Sequence, residues 1–335
     1  MKTKVLFAVC KEKYSTIFSQ QNIDRIKSYC DVIEAEVPEV PDKEFLLKYI
    51  ANADIVISSW QTARLDSDVM VKAKNLKLLT HAAGSVKPVI SDALFDGGVK
   101  VTSSAAAISY GVAEFCLGMI LMAPKRAFWA AQSTKQGGWT ESIEVFNGPF
   151  EIYQQKIGII GLSHVGRHLI RLLKSFTCDI MLYDPYCSAE KAKALGVTKV
   201  DTLDQLFGQC RVVSLNAPST EQTKGMITGE HFRLLPDGAV FINTARGAIV
   251  NEQEMITELK KQQFVACIDV TEPEPPAADS LLRTLPNVIL TPHIAGVVAE
   301  NMARLGTFVA DEIQAFINNK PLHFEVTKEQ LNTIG

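Results

Sequence analysis

The segment Lys156-Ile-Gly-Ile-Ile-Gly-Leu-Ser-His-Val-Gly166 decides the fold of this chain. Ile157, Ile159 and Ile160 form an apolar, β-branched run of the kind found in buried parallel strands. Gly161 then turns the chain, and apolar residues at helical spacing follow it. A strand, a glycine turn and a helix N-terminus place free backbone N–H groups and the positive end of a helix dipole beside an anion. The segment therefore predicts a strand–turn–helix unit that binds the pyrophosphate of a dinucleotide.

Two residues near this segment refine the prediction. A short apolar strand that begins at Ile180 ends at Asp184, where a carboxylate would hold the ribose hydroxyls. Ser163 stands at the second glycine position of the usual Gly-x-Gly-x-x-Gly pattern. A glycine at that position lets the backbone approach the pyrophosphate closely. Ser163 is either an ordinary helix N-cap in a loop that binds nothing, or part of an intact site with its hydroxyl near the phosphates. The flanking strand and helix, together with Asp184, favour the intact site.

Length and composition narrow the class of protein. The chain has 335 residues, which suggests two domains, and 47% of them are apolar, which is ample for full cores. The net charge is −3 and no basic stripe occurs, so we expect no nucleic-acid partner. The first apolar run is too short for a signal peptide. The sequence contains no run of 18 apolar residues, so we expect no membrane span. These features predict a cytoplasmic protein.

The cysteines and histidines give no sign of a metal site. The seven cysteines are scattered without a Cys-x-x-Cys pair, which suits a reducing cytosol. The six histidines lack metal-ligand spacing. His164 and His168 lie four residues apart, but no Glu or Cys joins them, so we predict a solvated helix face and no metal.

Residues 1–103 alternate between strand and helix patterns, which predicts a parallel sheet. This region lacks a dinucleotide fingerprint of its own, so we expect a separate α/β unit. The predicted elements are strands at 4–9, 53–59, 76–80 and 99–102, an extended stretch at 32–37, a helix at 19–29, and a helix capped by Asp42.

Two long helices flank the nucleotide unit. The first is predicted at about 109–135, with Pro124 inside it as a kink or break. Trp129 and Trp139 near this break either fill a core or cover a partner subunit. The last helix, at about 297–318, is amphipathic and should pack against another element.

Three turns just beyond predicted strands carry charged or titratable residues: Arg246, Glu272 and His293. Taken singly, they could be a surface arginine, a solvated acidic turn and a structural histidine. Together they suit the reduction of a 2-oxo acid, because ligands bind at the carboxyl edge of an open parallel sheet. His293 would be the acid, and the base in reverse. Glu272, rather than Glu274 in the same loop, would stabilise the imidazolium, and Arg246 would bind the carboxylate.

At these residues the chain resembles the D-isomer-specific 2-hydroxyacid dehydrogenases, of phosphoglycerate dehydrogenase-like type. The resemblance covers most of the chain, and its motifs are very specific in combination. The matching segments are Val112-Ala-Glu114, Gly158 to Gly166, Tyr183-Asp-Pro185, Asn216-Ala-Pro218 with Thr223, Leu235 to Gly247, Asp269 to Pro275, and Asn287 to Gly296.

The resemblance implies roles for particular residues. Arg246, Glu272 and His293 would be catalytic, and NAD would be the cofactor. Asp184 favours NAD over NADP, because a carboxylate would repel a 2′-phosphate. The cofactor contacts would be Gly161, Ser163, His164, Val165, Gly166, Asp184, Ala217, Pro218, Thr223, Thr244, Ala245, Arg246, Asp269, His293, Ala295 and Gly296. The substrate contacts would be Gly84, Ser85, Arg246 and His293.

The resemblance also implies an architecture of two doubly wound parallel-sheet domains. A Rossmann dinucleotide-binding domain would cover 104–296, and a discontinuous flavodoxin-like substrate domain would combine 1–103 with 297–335. The family is usually dimeric through the segment after the long helix, so we expect a homodimer. The substrate is left open among small 2-hydroxy or 2-oxo acids. A dinucleotide-sensing protein of co-repressor type is an alternative on the same fold, and a phosphonate or formate dehydrogenase is a weaker one.

Overall fold

The computed structural model describes residues 2–139, 148–296 and 299–334. The chain divides into two compact units. The first unit combines Met1–Ile108 with Val297–Gly335, and the second is Ser109–Gly296. The boundary between the units lies after Ile108, five residues beyond the predicted boundary after residue 103. It falls inside the helix Ala105–Met122 rather than before it.

The first unit contains a five-stranded sheet in which every pairing is parallel. Its strands are β1 (Thr3–Ala8), β2 (Cys30–Val32), β3 (Ile55–Ser58), β4 (Leu78–His81) and β5 (Lys100–Ser103). The order β2-β1-β3-β4-β5 is the flavodoxin-like, doubly wound order. The second strand, Cys30–Val32, begins two residues before the extended stretch predicted at 32–37 and ends at its first residue.

Five helices connect these strands: α1 (Lys11–Ile17), α2 (Gln20–Tyr29), α3 (Lys43–Tyr49), α4 (Ser67–Lys72) and α5 (Asp92–Asp96). The predicted cap at Asp42 is confirmed, since its side chain accepts a hydrogen bond from the Phe45 N–H at 2.8 Å. Helix α1 was not predicted.

The predicted long helix is two helices, α6 (Ala105–Met122) and α7 (Ala127–Lys135). The break at Pro124 is confirmed, and Arg126 just after it has a left-handed backbone with φ of 57°. Helix α6 is long and apolar enough to cross a membrane by length and composition, although the sequence predicted no such span. One such helix is weak evidence, because core helices pass the same test.

The second unit contains a seven-stranded sheet, again with parallel pairing throughout. Its strands are β6 (Lys156–Ile160), β7 (Asp179–Tyr183), β8 (Thr198–Val200), β9 (Val212–Leu215), β10 (Ala239–Asn243), β11 (Phe264–Ile268) and β12 (Val288–Leu290). The order is β12-β11-β10-β9-β6-β7-β8, so the strand order reverses beside β6. This is the Rossmann arrangement, in which ligands bind at the carboxyl ends of the strands near the reversal.

The helices of the second unit after α7 are α8 (His164–Leu173), α9 (Ala189–Ala194), α10 (Leu203–Gln209), α11 (Gly229–Leu234) and α12 (Glu252–Leu259). One face of the sheet is filled by four buried phenylalanines, Phe207, Phe232, Phe241 and Phe264. Burying each such ring is worth roughly 1.5–3 kcal/mol. This packed face holds the strands, and therefore the turns beyond them, in fixed positions.

The chain returns to the first unit through α13 (Ala303–Ile317), which follows a 3-10 turn at Ala299–Met302. The start predicted at about 297 lies outside the described residues, and the described α-helix begins at Ala303. Its apolar face, with Leu305, Val309 and Ile313, is buried in the core of that unit. The predicted packing of this helix is confirmed.

Candidate active site

The glycine turn after β6 is so crowded that its first residue must lack a side chain. Gly161 has a φ of +92°, and an added Cβ would lie 2.6 Å from the Cα of Ala217. Gly166, at the third fingerprint position, would place a Cβ 2.2 Å from the carbonyl oxygen of Gly161. The first turn of α8 therefore packs directly on the loop, and its N-terminus faces the space above β6. This cradle fits a pyrophosphate.

Ser163 acts as the N-cap of α8. Its Oγ accepts a hydrogen bond from the Gly166 N–H at 3.3 Å. This is the contact expected of an ordinary cap, and it leaves the loop and the helix N-terminus in the arrangement of a dinucleotide site. The cap and the pyrophosphate site are therefore compatible, and the role of the hydroxyl toward phosphates stays a prediction.

Asp184 follows β7 and turns back onto the glycine loop. Its Oδ2 accepts from the Leu162 N–H at 2.6 Å, and its Oδ1 accepts from the Tyr186 N–H at 2.8 Å. A carboxylate offers about four lone-pair sites, so both oxygens can still accept hydroxyl donors. The carboxylate thus lies where a ribose would meet the loop, which suits the role predicted for it.

The other predicted cofactor residues lie beyond neighbouring strands of the same sheet. Ala217 and Pro218 follow β9, and Thr223 donates to the Pro218 carbonyl oxygen at 2.7 Å. Thr244 and Ala245 follow β10, where the Ala245 N–H donates to Asn243 at 3.0 Å. Parallel strands end at one edge, so the structure brings these residues to the same edge as the glycine loop.

Asp269 organises the turn that carries His293. Its Oδ1 accepts from the Ile294 N–H and its Oδ2 from the Ala295 N–H, both at 2.9 Å. The Thr291 hydroxyl donates to Oδ1 at 2.5 Å, and the His293 N–H donates to the Asp269 carbonyl at 2.9 Å. His293 itself has a φ of 54°, a region that few residues other than glycine adopt. Such strain concentrates at functional sites.

The carboxylate that meets His293 belongs to Glu274, not Glu272. Glu274 Oε1 lies 2.5 Å from His293 Nδ1, and both side chains are partly exposed. Glu272 is held elsewhere: its N–H donates to Glu252 on α12 at 3.1 Å. Desolvation raises the pKa of Glu252, and the charge of Glu272 raises it further, so these two carboxylates are neighbours. The pairing of Glu272 with His293 was therefore wrong.

Arg246 lies near Glu274 of this pair, and the next residue, Gly247, packs against the loop that carries Glu274. Gly247 packs so tightly on the next loop that an added Cβ would lie 2.1 Å from the carbonyl carbon of Thr271. This contact ties the turn after β10 to the loop that carries Glu274. Desolvation lowers the pKa of Arg246, and the charge of Glu274 partly offsets that effect. A guanidinium stays protonated under such conditions, so a fixed cation stands near the His293–Glu274 pair.

Replacement of Gly247 by alanine is expected to damage both stability and activity. The new methyl group must displace the backbone at Thr271, which costs about 1–3 kcal/mol by overpacking. The shift would also move Glu274 away from His293. Thermal unfolding and steady-state kinetics measure the two effects, with Gly208→Ala as the matched control because no atom lies within 4 Å of a Cβ there. A Gly247→Ala protein with wild-type activity would contradict this account of the contact.

Gly84 and Ser85 lie in the first unit, in the loop that follows β4. The Ser103 hydroxyl donates to the Gly84 carbonyl oxygen at 2.6 Å. The loop therefore stands at the carboxyl edge of its own sheet, which is the edge used for ligands in doubly wound folds. Within the described residues, no group of three or more His, Cys, Asp and Glu side chains could hold a metal ion.

Comparison with known proteins places this chain in a family. Residues 117–295 match the model of the D-isomer specific 2-hydroxyacid dehydrogenase NAD binding domain. The chain is 34% identical to the D-3-phosphoglycerate dehydrogenase of Methanocaldococcus jannaschii over 298 residues, which is 89% of this chain and 56% of that protein. It is 30% identical to the glyoxylate reductase of Thermofilum pendens over 320 residues, 94% of each chain. The chain thus spans about half the length of the first relative and nearly all of the second.

Solved structures agree on the fold. The apo form of Rhodotorula graminis D-mandelate dehydrogenase superposes with a TM-score of 0.83 at 22% identity, covering 98% of each chain. This chain belongs to the D-isomer specific 2-hydroxyacid dehydrogenase family, and its second unit is the NAD-binding domain. The resemblance found in the motifs, the two-sheet fold and NAD as the cofactor are confirmed, whereas the preference for NAD over NADP stays a prediction.

Proposed function

We propose that this protein is an NAD-dependent oxidoreductase that transfers a hydride between the nicotinamide and C2 of a small, D-configured 2-hydroxy acid or its 2-oxo partner. The observation that carries the proposal is the His293–Glu274 pair with Arg246 beside it, at the sheet edge that also holds the glycine loop. The names of the relatives, which are dehydrogenases and reductases, support it.

His293 is the proton donor in reduction and the acceptor in oxidation. Its Nδ1 is engaged with Glu274, so Nε2 is the ring nitrogen that meets the substrate oxygen. The carboxylate stabilises the imidazolium that must exist before a proton is given to the carbonyl. The Asp269 carboxylate accepts three hydrogen bonds from the turn that carries His293, and this keeps the imidazole in place. When bound, the nicotinamide supplies the hydride.

Arg246 binds the substrate carboxylate and polarises the neighbouring carbonyl. A planar guanidinium suits a carboxylate because it donates two parallel hydrogen bonds. We assign to Gly84 and Ser85 further backbone donors to that carboxylate. Ser163 to Gly166, Ala217, Pro218, Thr223 and Thr244 are assigned to the cofactor, together with Asp184 on the ribose.

NADH oxidation with a panel of 2-oxo acids tests this function. The panel contains glyoxylate, hydroxypyruvate, pyruvate, 2-oxoisocaproate and phenylpyruvate, with NADPH assayed in parallel. We expect turnover with one clearly preferred acid. The kcat/KM with NADPH should be at least about tenfold lower, because Asp184 repels the 2′-phosphate and 1.4 kcal/mol corresponds to a factor of ten. Reactions without the 2-oxo acid give the background.

Failure to oxidise NADH with any acid, together with tight NADH binding, would favour the dinucleotide sensor instead. The sensor is not favoured at present, because a complete set of acid, carboxylate and arginine would have no use in it. The relatives compared above are named as dehydrogenases and reductases, which favours an enzyme over a sensor.

We further propose that the protein is a cytoplasmic homodimer that forms through the segment after α6. Met122 at the end of this helix and Phe128 after it are 45% and 38% exposed, an apolar surface that a second copy would cover.

A further inference from the structure

The first unit contains a buried polar pair that the proposed chemistry does not use. Ser58 ends β3 and His81 ends β4, and the two residues are paired in register. Ser58 Oγ lies 2.9 Å from His81 Nδ1, and the residues are 0% and 2% exposed. Most buried polar groups in folded proteins are hydrogen-bonded, and the bond between these two side chains joins the ends of β3 and β4.

His81 is neutral in this environment. Desolvation lowers the pKa of His81 to about 4, although a hydrogen bond with the Ser85 backbone acts in the opposite direction. A neutral imidazole has one donor and one acceptor nitrogen. When the Ser58 hydroxyl donates to Nδ1, the ring proton is on Nε2 and is available to the Ser85 carbonyl. The ring then links β3 to the loop after β4.

Side chains at the ends of neighbouring strands bind carbonyl oxygens of that loop. The Ser59 hydroxyl donates to the Ala82 carbonyl at 3.3 Å, and the Ser103 hydroxyl donates to the Gly84 carbonyl at 2.6 Å. His81 adds a hydrogen bond to the backbone of Ser85. The loop is therefore held by side chains at the ends of three neighbouring strands, β3, β4 and β5. Within the described part of the chain, the backbone N–H groups of Gly84, Ser85 and Val86 have no acceptor. Successive backbone N–H groups without an acceptor are suited to binding an anion.

We propose that His81, supported by Ser58, is a positioning residue that aims the N–H groups of Gly84 and Ser85 at the substrate carboxylate. The inference rests on the proposed function, since it assigns a carboxylate to this loop. It does not make His81 a proton donor: a buried ring that stays neutral holds the loop by its shape and its hydrogen bonds alone.

The test compares His81→Leu, His81→Gln and Ser58→Ala with the wild-type enzyme. For each protein we would measure kcat, KM for the preferred 2-oxo acid, the Kd of NADH, and the Kd of oxamate for the NADH complex by calorimetry. His81→Leu and Ser58→Ala should raise KM and the oxamate Kd about tenfold, the effect of about 1.4 kcal/mol. The NADH Kd should not change, and kcat should change little. His81→Gln retains a donor and an acceptor, so its loss should be smaller.

Asn22→Ala is the matched control. Asn22 is also a buried polar residue of the first unit, and its side-chain amide donates to the Ala303 carbonyl at 3.2 Å, on α13 rather than on the loop. It should lower the unfolding temperature without raising KM. Wild-type KM and oxamate Kd in both His81→Leu and Ser58→Ala would overturn the proposal, as would an equal rise in Asn22→Ala. If His81→Leu does not fold, Ser58→Ala and His81→Gln decide the question.

The same experiment separates this inference from the proposed function. Oxamate binding by a wild-type protein that turns over no 2-oxo acid would overturn the proposed reaction but keep the positioning role of His81. No oxamate binding by the wild-type complex would overturn the positioning role.

Discussion

Replacement of His293 by asparagine is expected to lower kcat by about 10²–10⁴-fold, the usual contribution of a positioned acid or base. NADH should still bind, because the glycine loop and Asp184 do not depend on the imidazole. Asparagine is preferable to alanine here because His293 has a φ of 54°, and asparagine tolerates that region better than most residues. The turn can therefore keep its shape while the proton donor is lost. His293→Ala should give a similar loss of turnover.

Single-turnover measurement of NADH oxidation, with the Kd of NADH from a fluorescence titration, separates chemistry from binding. His231→Ala is the control, because His231 lies in the same unit but caps α11 with Thr228. That variant should lose stability and retain turnover. If the His293 variants oxidised NADH within tenfold of the wild-type rate, another group would have to be the acid.

The dinucleotide unit could be predicted from sequence because its determinants are local. The run around Gly161 contains the strand, the turn and the helix start, and Asp184 follows on the next strand. In a parallel sheet the carboxyl ends share one edge, so Arg246 and His293 could be placed together without knowing any contact. The position of each strand end was enough for this inference.

The identity of the partner carboxylate could not be predicted in the same way. Glu272 and Glu274 lie two residues apart and each precedes a proline, so their local sequence is almost the same. Their positions are decided by residues distant along the chain. Glu252 on α12 holds the Glu272 N–H, and the packing of Gly247 on Thr271 sets the path of the loop. A pattern within one segment does not contain that information.

The Ser58–His81 pair was also missed, for a related reason. The two residues are 23 positions apart and meet only because β3 and β4 are neighbours. A signal was present, since three of the five strands of the first unit end in a polar residue: Ser58, His81 and Ser103. The same rule that found the strand ends of the second unit would have found these.

Glu274→Gln should lower kcat for reduction on the order of 10²-fold, at the low end of the effect expected for a proton-transfer group itself. Glutamine can still accept a hydrogen bond from His293 Nδ1, but it has no charge to stabilise the imidazolium. The kcat for reduction, measured for wild type and variant in the same buffer, checks this expectation.

Glu272→Gln is the matched variant, because it makes the same chemical change in the same loop. Glu272 lies by Glu252, so removing its charge relieves a like-charge contact and should leave kcat within about twofold, while a surface charge change alters stability by roughly 0.5 kcal/mol or less. The ratio of the two kcat values therefore identifies the carboxylate that serves His293. A large loss in Glu272→Gln with a small one in Glu274→Gln would restore the assignment made from the sequence, and would mean that the loop rearranges when substrate and cofactor bind.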